Sequence, residues 1–200
     1  MSCEVVPLTR TGTPTANPTT AERRAWVRSR HRELVAVLRR RLGVPLGRAW
    51  WAAVAILTHW ALESGWGKSE WNYNVGNIRA DERCGSAGSH LLQGGDDGHP
   101  RPYRAYRTME DGVGDTFELL LKRRYARVTF ELLGVLDVGD AVAYYRDLMH
   151  AGWHPYSDAA LTQYRGVYTT VAGWVGEPDS RTPALIAAGA LLATWLISRR

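Results

Sequence analysis

Between Ala49 and Leu62 the chain reads Ala-Trp-Trp-Ala-Ala-Val-Ala-Ile-Leu-Thr-His-Trp-Ala-Leu, with Thr58 and His59 as the only polar side chains. Trp50, Val54, Leu57 and Ala61 follow the i, i+4, i+7, i+11 spacing of one helical face, and Ala53, Ile56 and Trp60 fill the face beside it. The spacing predicts a helix from Leu46 to about Ser64 that is apolar nearly all round and therefore buried. Gly65 supplies the left-handed residue that ends such a helix.

The flanking elements read as further helices. One is expected from just after Thr20 to about Arg41, broken by Gly43 and Pro45, with Trp26, Leu34, Val35, Val37, Leu38 and Leu42 apolar and Arg on the opposite side. Thr108-Met109-Glu110-Asp111 has the form of an N-cap and acidic first turn, opening a helix to about Tyr125. Asp137 caps a helix through Met149, Ser157 one reaching Gly173, and Thr182-Pro183 starts a last one. From Trp66 to Tyr106, Gly, Asn and Asp dominate, predicting a long loop with at most a short hairpin; ordered loops of that length are usually functional. Residues 1–20, rich in Thr and Pro, read as an extended arm. The domain is expected to span 21–178.

Charge is unevenly spread. From Glu22 to Arg48 there are nine Arg and two Glu, so this stretch carries about +7 while the rest is near −2. A basic face suits polyanions, among them wall polymers and anionic lipid, and equally describes a solvated helix side. No groove-reading motif accompanies it, and nucleic acid is not expected as a partner. Trp and Tyr number nine each against two Phe; most are expected in the core and a minority along a cleft. The two cysteines, Cys3 and Cys84, are too few for a stapled scaffold, and Cys3 is expected in a frayed terminus. The six His show no metal-ligand spacing, so neither metal nor cofactor is expected. The segment Ala184–Ser198 is uncharged; a helix there would span about 22–25 Å, short of the ~30 Å hydrocarbon core. A membrane tail, an interfacial anchor and a packed helix all fit it. Met1–Leu8 lacks the pattern of a standard signal peptide, which implies another delivery route.

Glu63 stands where the apolar helix ends. A glycosidase needs a carboxylic acid that protonates a leaving oxygen, and an apolar surround is what keeps such a group protonated near neutral pH. A surface Glu at a helix C-terminus is the plainer reading of that position alone. Its neighbours point further. Ala61-Leu62-Glu63-Ser64-Gly65-Trp66-Gly67-Lys68-Ser69, then Asn72-Tyr73-Asn74-Val75-Gly76-Asn77-Ile78-Arg79, then Tyr103-Arg104-Ala105-Tyr106-Arg107-Thr108 resemble, in order and spacing, the endo-β-N-acetylglucosaminidases of glycoside hydrolase family 73, which include autolysins, flagellar muramidase-like domains and phage lysins. The resemblance covers about residues 46–175.

The resemblance implies a mainly α, lysozyme-like domain of two lobes, one of them long and irregular or built on a β-hairpin, with a groove between them. Its substrate would be peptidoglycan and its site of action the bacterial envelope. Glu63 matches the general acid. Ser64, Trp66, Asn74, Asn77, Trp153 and Tyr156 fall where the family contacts or shapes the substrate site, with Trp153 in the place of a Tyr. A second carboxylate, ~6.5–9.5 Å from the acid in an inverting enzyme and ~5–5.5 Å in a retaining one, is sought among Asp81, Glu82, Asp96 and Asp97. Asp96 and Asp97 are the leading candidates, and the substrate's own 2-acetamido group is the alternative. A lysozyme, a lytic transglycosylase or a non-catalytic wall-binding component are the competing readings. Delivery on a phage virion or through an export machine, by way of the N-terminal arm, and membrane contact through the C-terminal helix are further expectations.

Overall fold

A computed structural model of the chain describes residues 3–15, 17–74, 78–80, 83–93, 99–120, 125–153 and 155–178. Helix α1 spans Thr20–Leu42 and α2 spans Leu46–Ser64. A hairpin of β1 (Gly88–Gln93) and β2 (Pro100–Ala105) follows, then α3 (Met109–Leu120), α4 (Ala126–Gly134), α5 (Val138–His150) and α6 (Asp158–Val175). The fold is the mainly α, lysozyme-like architecture expected, with the hairpin and its neighbouring loops forming the second lobe.

Local chemistry sets the helix ends. Thr19 and Glu22 form a reciprocal capping box: the Thr19 hydroxyl accepts from the Glu22 amide, and the Glu22 carboxylate accepts from the Thr19 amide at 2.7 Å. Gly43, at φ 64°, closes α1 by donating to the Arg39 carbonyl. Asp137 accepts from the amides of Gly139 and Asp140, and Ser157 from that of Ala160, so both expected caps open their helices. No helix is expected over 126–134, yet α4 forms there and packs Val128 and Leu132 into the core. The helix expected to about Tyr125 is described as α3 as far as Leu120, and residues 121–124 lie outside the described residues.

The centre is α2, which is buried on almost every side and packs against α1, α4 and α6. Its run of Ala lets these helices approach closely. Tyr164 of α6 reaches in to donate to the Ala55 carbonyl at 2.9 Å, so its buried hydroxyl has a partner. His31 of α1 is likewise buried, its Nε2–H donating to the Trp50 carbonyl at 3.2 Å.

The N-terminal segment is extended but is no free arm. Val5 pairs in parallel with Ser89 beside β1, and Glu4, Val6 and Ser89 exchange backbone hydrogen bonds. Arg10 pairs with Trp71, its guanidinium 4.4 Å from the indole centroid. The amides of Thr11 and Gly12 donate to the Glu70 carbonyl and that of Thr13 to Gly67. Cys3, far from fraying, forms a disulfide with Cys84, 81 residues away. Thr/Pro-rich composition marks poor helix formers, and here those residues complete the backbone pairing of the second lobe. The expected helix within 182–200 lies outside the described residues.

Two stability predictions follow from these contacts. Closing a loop of this length is worth about 4–5 kcal/mol in the chain-entropy account. Cys84→Ser or full reduction is therefore expected to lower the urea-derived unfolding free energy by several kcal/mol, and a loss below about 1 kcal/mol would contradict a structural role for the bridge. Burial holds both His31 and His90 down to about 4, from an ordinary 6.5. Both are neutral in the fold at neutral pH, whereas the unfolded chain takes up protons on them from 6.5 downward. Their contribution is complete above pH 6.5 and is lost as the pH falls toward about 4. Urea midpoints are expected to begin falling near pH 6, ahead of ordinary carboxylates at about 4; a flat profile down to about pH 5 would refute this.

Candidate active site

Glu63 is the penultimate residue of α2, and the turn behind it is tightly specified. Gly65, Trp66 and Gly67 all take positive φ, at 58°, 64° and 82°. Ser64 donates to the Trp60 carbonyl at 2.6 Å and accepts from the Gly67 amide at 2.8 Å. The Gly65 and Trp66 amides both return to Ala61 O, and the Ser69 amide to Ser64 O. A Cβ on Gly67 would sit 2.5 Å from Trp26 Nε1, so only glycine fits there.

Below the turn lies Glu70, fully buried. Its carboxylate accepts from Arg30 at Nη2 (2.6 Å) and Nε (3.3 Å) and from Trp26 Nε1 (2.8 Å), all on α1. Arg30 also bonds Glu33 and the Thr11 carbonyl. A charge so desolvated is tolerable only with partners of this quality. The turn is thereby fastened to α1 on one side and to the N-terminal segment on the other. The sequence reading assigned Arg30 to the basic face and passed over Glu70.

The Glu63 side chain is 28% exposed, and its Oε1 lies 3.4 Å from Nε2 of His59, one turn back on α2 and itself buried. The His59 ring packs edge-on to Trp153, centroids 5.2 Å apart, and tilted against Tyr145 at 5.6 Å. Trp153 continues to Tyr125, and Tyr145 stacks on Tyr164. Burial, and then the negative charge of Glu63, push the Tyr145 phenol up. Glu63 thus meets solvent from a wall of aromatic rings with a buried imidazole beside it. His59 and Tyr145 were not among the expected site residues. His59 was legible, being one of two polar residues in an apolar run and four positions before Glu63.

The other expected site residues divide. Trp153 reaches this cluster through His59. Ser64 is buried, with donor and acceptor both used inside the turn, so it shapes the site and does not offer itself to a ligand. Asn74 is also buried; its side chain accepts from the Ile78 amide at 2.8 Å and donates to the Ile78 carbonyl at 2.9 Å, clamping a loop. Trp66 packs toward the helices, 5.3 Å from Trp174 and under Arg23. Tyr156 is exposed, stacked on His150 and donating to Asp158 at 2.7 Å. Asn77, Asp81, Glu82, Asp96 and Asp97 lie outside the described residues.

The Tyr103–Arg107 motif is structural at its centre. Arg104 and Tyr106 both donate to Asp115 of α3, at 2.7 and 2.5 Å, and Arg83 joins them. This set, buried at Arg104 and Tyr106, binds the hairpin lobe to the helical lobe, and burial pushes the Tyr106 phenol up to about 12. The junction is completed by Asn72 and Tyr73, held at positive φ of 49° and 56°. The Asn72 side chain accepts from the Thr9 amide and donates to the Pro7 carbonyl, and its backbone carbonyl accepts from the Tyr106 amide.

Two solved structures share this fold. One is a peptidoglycan hydrolase from Sphingomonas sp. A1, superposing with a TM-score of 0.55 at 23% identity over 76% of this chain and 92% of that one. The other, a mutant peptidoglycan hydrolase from the same organism, gives 0.51 at 22% identity over 74% and 94%. No protein-family model and no curated protein matches the chain.

The fastening of the turn is open to measurement. Glu70→Gln leaves Arg30 buried without its full counter-charge and is expected to cost about 3 kcal/mol or more in urea unfolding at neutral pH. A loss under about 1 kcal/mol would show that the pair is not what holds the turn.

Proposed function

We propose that the protein is a glycoside hydrolase of the bacterial cell wall, cutting β-1,4 bonds of the peptidoglycan glycan with Glu63 as general acid. The observation that carries this reading is the setting of Glu63: partly exposed, at the end of a buried helix, beside the buried His59 and the rings of Tyr145 and Trp153. The order of the three motifs supports it, as does the shared fold with proteins described as peptidoglycan hydrolases.

In this mechanism the Glu63 carboxyl gives its proton to the glycosidic oxygen as the bond to the anomeric carbon breaks, and a water supplies the hydroxyl that replaces it. His59 is a positioning residue that holds the carboxyl toward the cleft. The anomeric carbon is met either by a water activated by Asp96 or Asp97 or by the substrate's own acetamido oxygen. The specificity proposed is that of an endo-β-N-acetylglucosaminidase, leaving N-acetylglucosamine at the new reducing end. The enzyme would act in the envelope, and the Cys3–Cys84 bridge favours a compartment outside the reducing cytoplasm. Attachment to a virion or export machine through the N-terminal segment is not part of the proposal, because residues 3–13 are engaged by the domain itself.

Glu63→Gln is expected to reduce release of soluble fragments from purified peptidoglycan by about 10²–10⁴-fold, with an unchanged melting curve. Undiminished activity would remove Glu63 from the chemistry, and an inactive wild type would favour a wall-binding role. Mass spectrometry of the products reads specificity. Reducing-end or anhydro N-acetylmuramic acid would replace the glucosaminidase assignment with lysozyme or transglycosylase activity.

A further inference from the structure

Of the eight arginines of α1, four share one face; of the others, Arg30 is buried against Glu70 and Arg40 pairs with Glu110. Arg24, Arg28, Arg32 and Arg39 are all exposed, and at 3.6 residues per turn they fall within roughly 80° of the circumference along about 22 Å of axis. The two carboxylates of α1 are committed elsewhere, Glu22 to the capping box and Glu33 to Arg30. Beside the stripe runs a groove of about 490 Å³ whose floor includes Val35 and Trp50 and whose rim includes Arg32 and Arg39. The described chain also ends on this face. Arg28 Nε donates to the Trp174 carbonyl and Trp50 Nε1 to that of Gly176, each at 3.0 Å. The uncharged stretch Ala184–Ser198 begins eight residues later.

We propose that this face docks on an anionic phospholipid bilayer. The four arginines take the lipid phosphates, and the groove floor with Trp50 meets the apolar side of the headgroup layer. Guanidinium pairs well with phosphate, and Trp favours the membrane interface. A soluble polyanion would satisfy the arginines and leave the apolar floor unused, whereas a lipid surface presents phosphate and hydrocarbon together. No helix among the described residues is long and apolar enough to cross a membrane, and the contact proposed for α1 is with the surface. This inference concerns the side of α1 that carries the arginines and does not rest on the hydrolase reading, since vesicle binding is measured without any wall substrate.

The test is co-sedimentation of the full chain with vesicles of phosphatidylcholine alone or containing about one-third phosphatidylglycerol, a composition chosen for its surface potential. Binding is expected only to the anionic vesicles and is expected to fall steeply with added salt. The double variant Arg32→Gln/Arg39→Gln is expected to bind about 20–30-fold more weakly, near five-fold per arginine. The same melting curve for variant and wild type establishes that the fold is intact. Should the variant melt differently, the lipid and salt dependence of the wild type decides alone. Equal binding to both vesicles, no binding, or an unchanged variant would overturn the proposal. So would binding of polyphosphate that the variant loses in the absence of any vesicle binding.

Discussion

Glu70 has no solvent exposure, yet its carboxylate is surrounded by the guanidinium of Arg30 and the indole of Trp26. A charge in that position is costly unless nearly every lone pair is used, and here both oxygens are. The consequence is geometric. Three consecutive residues of positive φ leave the end of α2 little tendency to keep one direction by itself. With Glu70 fastened to α1, and its backbone carbonyl accepting from the Thr11 and Gly12 amides, the turn is fixed between the helical core and the second lobe. The placement of Glu63 depends on that.

The second lobe has little apolar core of its own. It is held by polar and covalent ties at its margins: the Cys3–Cys84 bridge, the pairing of residues 4–6 with Ser89, the Asn72 contacts, and the Arg104–Tyr106–Asp115 set. The helical lobe is the reverse, a continuous cluster around α2 in which aromatic rings fill the space left by small residues. One lobe is therefore stiff by packing and the other by tethering.

How far this was legible follows from the range of the forces involved. The helices of the core announce themselves locally, through apolar periodicity and the caps at Asp137 and Ser157, and their bounds came out close to those expected. Helix α4 did not, because its nine residues are too short for the apolar period to stand out beside the longer helices. The tethers were invisible for a different reason. Cys3 with Cys84, Arg30 with Glu70 and Arg104 with Asp115 join residues whose spacing says nothing about proximity. Of the residues named from motif, Glu63 and Trp153 meet through His59. Ser64 and Asn74 serve the backbone, a distinction that depends on where their hydrogen bonds go.

Two glutamates seven residues apart, on either side of one turn, therefore hold opposite positions. Glu70 faces α1, its carboxylate taken up by Arg30 and Trp26, and its work is structural. Glu63 is partly exposed, and the group beside it is the buried imidazole of His59 at 3.4 Å. The two carboxyls thus occupy different environments, and the buried Arg30–Glu70 pair below the turn is what keeps Glu63 in place.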